Sequence, residues 1–349
     1  MLKVSLKSCL IKIKFTIMSI NQSKIKVGIV GSSGYTGGEL IRLLINHPNC
    51  ELIFANSKIY EGKYISDIHK DLEGEIEMKF SKEINNDIDV LFLCLGHGNS
   101  IDFLEKNKLN NEIKIIDLSQ DFRLESSFSN SKNSRNFTYG LPELQKEKII
   151  NSNNIANPGC FATAIQLGLL PLIEKDLIES EIHTNAITGS TGAGIKPSPT
   201  THFSWRNNNI SWYKPFTHQH LIEINYSFNN LSNKKNKINF VPLRGDFTRG
   251  IFCTSYFKSS LKLSDLEILY KEYYKNDTFT FISKNEIHLK QVINTNKCLI
   301  HLHQNEDLIM VTSIIDNLIK GASGQAIQNI NLMFNINEEA GLKLKSSIF

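Results

Sequence analysis

Short apolar runs separated by polar, glycine-bearing turns fill the first half of the chain. Residues 25–31, Ile-Lys-Val-Gly-Ile-Val-Gly, read as a buried parallel strand. Residues 39–45, Glu-Leu-Ile-Arg-Leu-Leu-Ile, follow with helical spacing. Residues 51–55, 90–95 and 114–119 are further strand-like runs, and polar residues follow each of them. Strands alternating with helices predict an α/β domain with a parallel sheet, whose ligands bind beyond the carboxyl ends of the strands. In the second half, an apolar helical run over 161–170 precedes a strand at 185–188 and a glycine-rich loop at 189–194. Polar stretches at 125–136 and 229–237 read as loops, and His301 and His303 alternate on a strand as surface or packing residues. A polar glycine turn from 317 leads into a last helix that has few partners of its own, so it is expected to return to the first domain.

Length and composition then set bounds. A chain of 349 residues with 41% hydrophobic and 21% charged residues is globular and long for a single core, which predicts two domains. The boundaries expected are 24–159 plus 322–349 for the first domain and 160–321 for the second. The net charge of +4 is modest and its basic residues are dispersed, so nucleic acid is not an expected partner. No apolar run approaches membrane-span length. Six scattered cysteines without a CxxC pair fit free thiols in a reducing cytoplasm, and no His/Cys cluster has zinc spacing. Residues 1–23 carry lysines but no acid and no arginine. They are read as a disordered extension, with Met18 as a candidate start; a transit peptide, and with it a plastid or other organelle, is the alternative.

Two motifs carry chemistry. Gly31-Ser32-Ser33-Gly34-Tyr35-Thr36-Gly37 lies between strand and helix, the context that gives a glycine pattern meaning. Gly31 permits the tight turn, Gly34 lets a pyrophosphate approach the backbone, and Gly37 lets helix and strand pack closely. The second strand ends in Asn56-Ser57-Lys58, a hydroxyl and a cation where an NAD-selective site usually has an acid, and this favours NADP. The other motif is Asn157-Pro158-Gly159-Cys160, a turn that delivers a cysteine to the start of the apolar helix. Unpaired N–H groups there would lower the thiol pKa and hold an oxyanion. A small cysteine packed at the head of a core helix is the competing reading. His218-Gln219-His220 with Glu223 supplies acid/base candidates, Arg249 a fixed cation, and the 189–194 loop an anion nest.

These segments together resemble the N-acetyl-γ-glutamyl-phosphate reductase family, from about Ile25 to near the C-terminus. Tyr139-Gly140-Leu141-Pro142-Glu143, Asn157-Pro158-Gly159-Cys160, His-x-His with Glu223-Ile224, and Gly321-Ala322-Ser323-Gly324-Gln325-Ala326 occur in the family's order. The resemblance implies a Rossmann-like NADP-binding domain, an α+β catalytic and dimerisation domain, and a homo-oligomer, dimer or tetramer, acting on a small molecule. It implies NADP(H) as cofactor, Cys160 as nucleophile and His220 as acid/base, with His218 as fallback. Gly192 and Asn329 join the glycine loop, Ser57 and Lys58 as cofactor contacts. Asn157, Ser119, Arg123, Lys196, Glu223 and Arg249 are the substrate-binding candidates. Three positions depart from the family pattern: Gly96 and Ile222 each stand where a proline is usual, and Ile195-Lys196 where an arginine is usual. The expected reaction is NADPH-dependent reduction of N-acetyl-γ-glutamyl phosphate through a cysteine thioester, a step of arginine biosynthesis. Aspartate-semialdehyde dehydrogenase, or a reductase of carrier-linked glutamyl phosphate, is the alternative.

Overall fold

The computed structural model describes residues 23–124 and 135–348. The predicted extension, apart from Ser23, and most of the predicted 125–136 loop lie outside the described residues.

The first unit is a six-stranded parallel sheet in the order β2-β1-β3-β4-β6-β5. Its strands are β1 (Ile25–Val30), β2 (Cys50–Asn56), β3 (Val90–Leu93), β4 (Lys114–Asp117), β5 (Thr138–Tyr139) and β6 (Asn154–Ala156). All four residues of β3 are buried, and so is all of β1 except Lys26, as a sheet covered on both faces requires. The order places β2 and β3 on opposite sides of β1, so the crevice above β1 is the topological switch point. Gly31 ends β1 in the left-handed region at φ +78°, and a Cβ there would meet the Cys94 carbonyl oxygen at 2.7 Å. The strands after β2 are shorter than their apolar runs, because β3 and β4 stop where their chains turn into the crevice loops.

The second unit is a mixed seven-stranded sheet, β11-β12-β13-β10-β7-β9-β8. Its strands are β7 (Ile182–Thr188), β8 (Ser211–Trp212), β9 (Ile238–Arg244), β10 (Ile251–Lys258), β11 (Thr280–Ser283), β12 (Cys298–Asn305) and β13 (Leu308–Ile315). β10 alternates between buried and more exposed residues, so one face is core and the other faces outward. The helix Cys160–Glu174 covers the inner face, with every residue from Phe161 to Ile173 buried. Pro171 interrupts its ladder by removing the N–H that would reach the Leu167 carbonyl. The Tyr274 hydroxyl donates to that carbonyl at 2.6 Å, and the Tyr270 hydroxyl donates to Gly168 O at 2.6 Å. The carbonyls beside this proline are therefore met from the neighbouring helix (Leu263–Tyr273) and the residue after it. The helix His220–Leu231 packs beside the Cys160 helix and takes in the first residues of the predicted 229–237 loop.

The last helix, Gly324–Met333, is buried throughout and packs Ala326, Ile327 and Ile330 with Leu40 and Ile41 of the helix Tyr35–Leu44. The chain thus returns to the first unit. It is preceded by a π-helical turn, Ile319–Ser323, whose Lys320 amine is fully buried against Glu143 Oε1 (2.7 Å) and Gln328 Oε1 (2.8 Å).

Candidate active site

The nucleophile turn grows out of the parallel sheet. After β6, the Asn157 N–H donates to Asp117 O at 2.8 Å, which extends the ladder by one residue. Gly159 is the extended N-cap (φ −73°, ψ 150°) and Cys160 the first residue of its helix. The turn is held by a buried carboxylate. Glu223 Oε1 pairs with Arg123 Nη1 at 2.9 Å, while Oε2 accepts from the Tyr139 hydroxyl (2.8 Å) and the Gly159 N–H (3.1 Å). Arg123 also donates from Nε to Asn157 O (2.9 Å), so one guanidinium and one carboxylate grip both ends of Asn-Pro-Gly. Gln166 Nε2 donates to the Tyr139 hydroxyl oxygen at 2.7 Å. Tyr139 and Gln166 carry this network, although no chemical role was read for either from the sequence. A lone glutamine in an otherwise apolar helical run was the available signal for the second.

His220 and Glu223 lie one turn apart on the same face of their helix, with His220 Nε2 3.9 Å from Glu223 Oε1. The imidazole edge lies directly on the Gly159 backbone: a Cβ at Gly159 would come 2.4 Å from His220 Nε2. His220 Nδ1 is buried without a partner among the described residues. His218 sits one ring further back, its centroid 4.6 Å from that of His220, edge-on to Phe161, Tyr213 and Phe240. Its Nδ1 accepts the His220 N–H at 3.2 Å. Burial, with Lys214 and Arg244 nearby, pushes His218 down to about 4; burial and Arg123 hold His220 well below the ordinary histidine range. Both rings are neutral at pH 7.

The helix start was expected to acidify the thiol. Instead, burial pushes Cys160 up to about 11, although the Phe161 N–H and Arg123 pull it the other way. The resting pair is thus a neutral thiol and a neutral imidazole. Gly321, in the π-helical turn, closes the other side: a Cβ there would lie 2.8 Å from the Cys160 Cβ. The same turn accepts Asn157 Nδ2 at Ala322 O (3.1 Å) and donates Ser323 Oγ to Thr36 O (2.9 Å). It therefore ties the cysteine turn to the helix that follows the glycine loop.

At that loop, Gly31 and Ser32 donate their N–H groups to Asn56 O, and the first intrahelical bond is Gly38 N–H to Gly34 O. The preceding first-turn N–H groups, at Tyr35, Thr36 and Gly37, face out of the helix. Gly34 has open space where a side chain would stand, the nearest atom being 3.9 Å away, whereas a Cβ on Gly37 would strike Ser32 at 2.5 Å. Ser57 Oγ donates to Ser33 Oγ at 3.1 Å, which brings the end of β2 against the loop, and Lys58 stands exposed beside it. Asn329 donates to Gly140 O and Asn157 Oδ1, and its own Oδ1 is buried and unpartnered. An open glycine, outward N–H groups, a lysine at the strand end and an orphan acceptor fit a phosphorylated dinucleotide.

Several substrate candidates are already committed to protein partners. Ser119 Oγ donates to Asp117 Oδ2 at 2.6 Å, and burial raises Asp117 to about 6. Arg123, Asn157 and Glu223 build the turn, as described. Arg249 is not free to grip a ligand: Nε and Nη2 donate to Asp316 (3.0 and 3.2 Å), and Nη1 donates to Glu39 of the glycine-loop helix. It joins the two units. Lys196 is exposed, with no ion pair among the described residues. Gly192 lies in the tight turn Ser190–Ala193, pinned where Asn317 Nδ2 donates to Thr191 Oγ1 at 3.0 Å.

Comparison with known proteins places this geometry. The family model described as "Semialdehyde dehydrogenase, NAD binding domain" matches residues 26–152, and "Semialdehyde dehydrogenase, dimerisation domain" matches residues 160–317. The N-acetyl-gamma-glutamyl-phosphate reductase of Parabacteroides distasonis is 53% identical, covering 93% of this chain and 100% of its own. That of Christiangramia forsetii is also 53% identical with the same coverage. Among solved structures, aspartate semialdehyde dehydrogenase with NADP from Candida albicans matches with TM-score 0.67 at 16% identity, over 89% of this chain and 99% of that one. Aspartate semialdehyde dehydrogenase II from Vibrio cholerae matches with TM-score 0.66 at 16% identity, over 90% and 99%. At such identity these two report the shared fold, whereas the sequence relatives report the family. The chain belongs to the semialdehyde dehydrogenases, an NAD(P)-dependent oxidoreductase family, and within them to the N-acetyl-gamma-glutamyl-phosphate reductases.

Proposed function

We propose that this chain reduces N-acetyl-γ-glutamyl phosphate to N-acetylglutamate 5-semialdehyde with NADPH and releases phosphate, a step of arginine biosynthesis. The observation that carries the reading is the His220 imidazole lying against Gly159, beside a cysteine at a helix start. The neutral imidazole takes the Cys160 proton as the sulfur attacks the acyl carbon. N–H groups of the helix start hold the oxyanion. The carbon–oxygen bond to phosphate then breaks; phosphate leaves with the electron pair and takes a proton from solvent, and a Cys160 thioester remains. Ser32 to Gly37, Ser57, Lys58, Gly192 and Asn329 would hold NADPH, which when bound would supply the hydride that reduces the thioester. The carbon–sulfur bond breaks as the aldehyde forms, and His220 returns its proton to the sulfur. His218, behind His220, orients it by accepting its backbone N–H.

The enzyme works as a homo-oligomer, dimer or tetramer, built through its second domain. Exposed Trp212, Tyr256 and Phe281 on that domain's sheet support this. A cytoplasmic location is supported by free thiols at all five cysteines among the described residues. The deciding assay is NADP⁺ reduction with phosphate, comparing N-acetylglutamate semialdehyde with aspartate semialdehyde. Preference for the first is expected; preference for the second would replace this reading.

A further inference from the structure

With Arg123 and Arg249 consumed by carboxylates, the anions of an acyl-phosphate substrate need other cations. Two guanidiniums at one end of the second sheet, Arg206 and Arg244, form no ion pair among the described residues. Arg244 is the last residue of β9, in register with Thr188 of β7 on one side and Ser211 of β8 on the other. By strand periodicity its side chain leaves the same face as Phe240, whose ring packs 5.2 Å from Phe161 and 5.6 Å from His218. That is the face of the catalytic residues. The Arg244 guanidinium lies 3.9 Å over the Tyr213 ring, and the Tyr213 ring is 5.6 Å from His218.

Arg206 reaches the same strand end from the short helix Phe203–Arg206. It is 7% exposed, and its Nη2 makes a long hydrogen bond to Thr188 O at 3.4 Å. Among the described residues its Nε has no partner, and the Ser211 hydroxyl beside Arg244 is likewise buried without one. Neither arginine forms an ion pair among the described residues. Asp246, two residues beyond Arg244, accepts the Asn208 N–H instead (2.7 Å). Burial and the neighbouring Arg244 charge depress the Arg206 pKa, against smaller opposing pulls from Tyr213 and Asp246. Unpaired charge and unpaired donors inside a protein cost stability, and they persist where a ligand completes them.

We propose that Arg206, Arg244 and the Ser211 hydroxyl form an oxyanion-binding subsite that takes a carboxylate or phosphate group of the substrate, on the reading that the substrate is an anionic acyl phosphate. Guanidinium forks match both groups. The subsite lies past His218 and Tyr213 on the catalytic face.

The aldehyde-oxidising direction separates the two sources, because semialdehyde and inorganic phosphate are then separate substrates. Arg244→Gln is expected to raise one of the two KM values about tenfold or more, with kcat and the KM for NADP⁺ little changed. A rise for semialdehyde assigns a carboxylate, and a rise for phosphate assigns the phosphate. Arg244→Lys should recover only part of the loss. Arg206→Gln should act on the same KM, and if that buried change prevents folding, the half-exposed Arg244 decides. A folded Arg244→Gln enzyme with both KM values unchanged would overturn the subsite. Should the wild type oxidise no such aldehyde, the functional reading fails separately. The subsite is then tested by calorimetric titration with inorganic phosphate and N-acetylglutamate, and binding of neither to the wild type, or equal binding to Arg244→Gln, would overturn it.

Discussion

His220 Nε2 occupies the space that a side chain on Gly159 would need, with a built Cβ only 2.4 Å from that nitrogen and 2.7 Å from Glu223 Oε1. The glycine before the nucleophile is therefore required by the approach of the acid/base and not by backbone twist, since its φ of −73° suits any residue. Gly159→Ala must push the imidazole or the cysteine turn aside. Displacing a catalytic group by about 1 Å costs on the order of 10²-fold in rate. The expected result is a kcat/KM lower by about that factor with unaltered NADPH affinity, measured by steady-state kinetics and fluorescence titration.

The buried Arg123–Glu223 pair predicts a stability effect. Both side chains are about one-twentieth exposed, and Glu223 spends both oxygens on protein donors. Arg123→Met leaves a buried carboxylate with its cation removed, which costs about 3–5 kcal/mol. Urea unfolding should show a loss of that size. A loss below about 1 kcal/mol would mean that the pair contributes little to holding the Asn-Pro-Gly turn.

The neutral thiol–imidazole pair predicts a pH profile. With Cys160 pushed up to about 11, thiolate is scarce at neutral pH, so the iodoacetamide alkylation rate of the free enzyme should keep rising from about pH 8 to pH 11. Because the His220 pKa is depressed, its base form persists as pH falls through 6.5 and is lost only below that. The acid limb of kcat/KM should accordingly lie below pH 6.5. An alkylation plateau reached already at pH 7 would reveal a thiolate–imidazolium pair instead.

At the end of β2, Ser57 bonds to the glycine loop and Lys58 carries an exposed charge. Lys58→Ala should raise the KM for NADPH about tenfold and leave that for NADH unchanged, because only the 2′-phosphate loses a counter-charge. Equal effects on both coenzymes would move the 2′-phosphate contact elsewhere.

Local grammar made much of this molecule readable. β1, Gly31 and the Tyr35–Leu44 helix follow from a buried run, a left-handed turn and helical spacing. Asn157-Pro158-Gly159 places Cys160 at a helix start by turn chemistry alone. Partnerships across the fold were not readable. Nothing near Arg249 announces Glu39, which lies far away in the chain, or says that Asp316 would take the rest of the guanidinium. The thiol was expected to be acidified because a helix end is visible in sequence, whereas the burial that outweighs it comes from packing. β5, β6 and β8 are too short for period-2 alternation to register. Arg206 and Arg244 look like ordinary surface cations until the sheet sets them at one strand end.

Covalent catalysis by Cys160 has one direct test. Enzyme mixed with N-acetylglutamate semialdehyde and NADP⁺ in the absence of phosphate should form one NADPH per active site in a burst and then stop. Its intact mass should rise by one N-acetylglutamyl group on Cys160, and added phosphate should discharge that group and restart turnover. The Cys160→Ser enzyme should show neither burst nor adduct. Full phosphate-dependent turnover without a stoichiometric burst, or a burst of normal size in Cys160→Ser, would contradict the account.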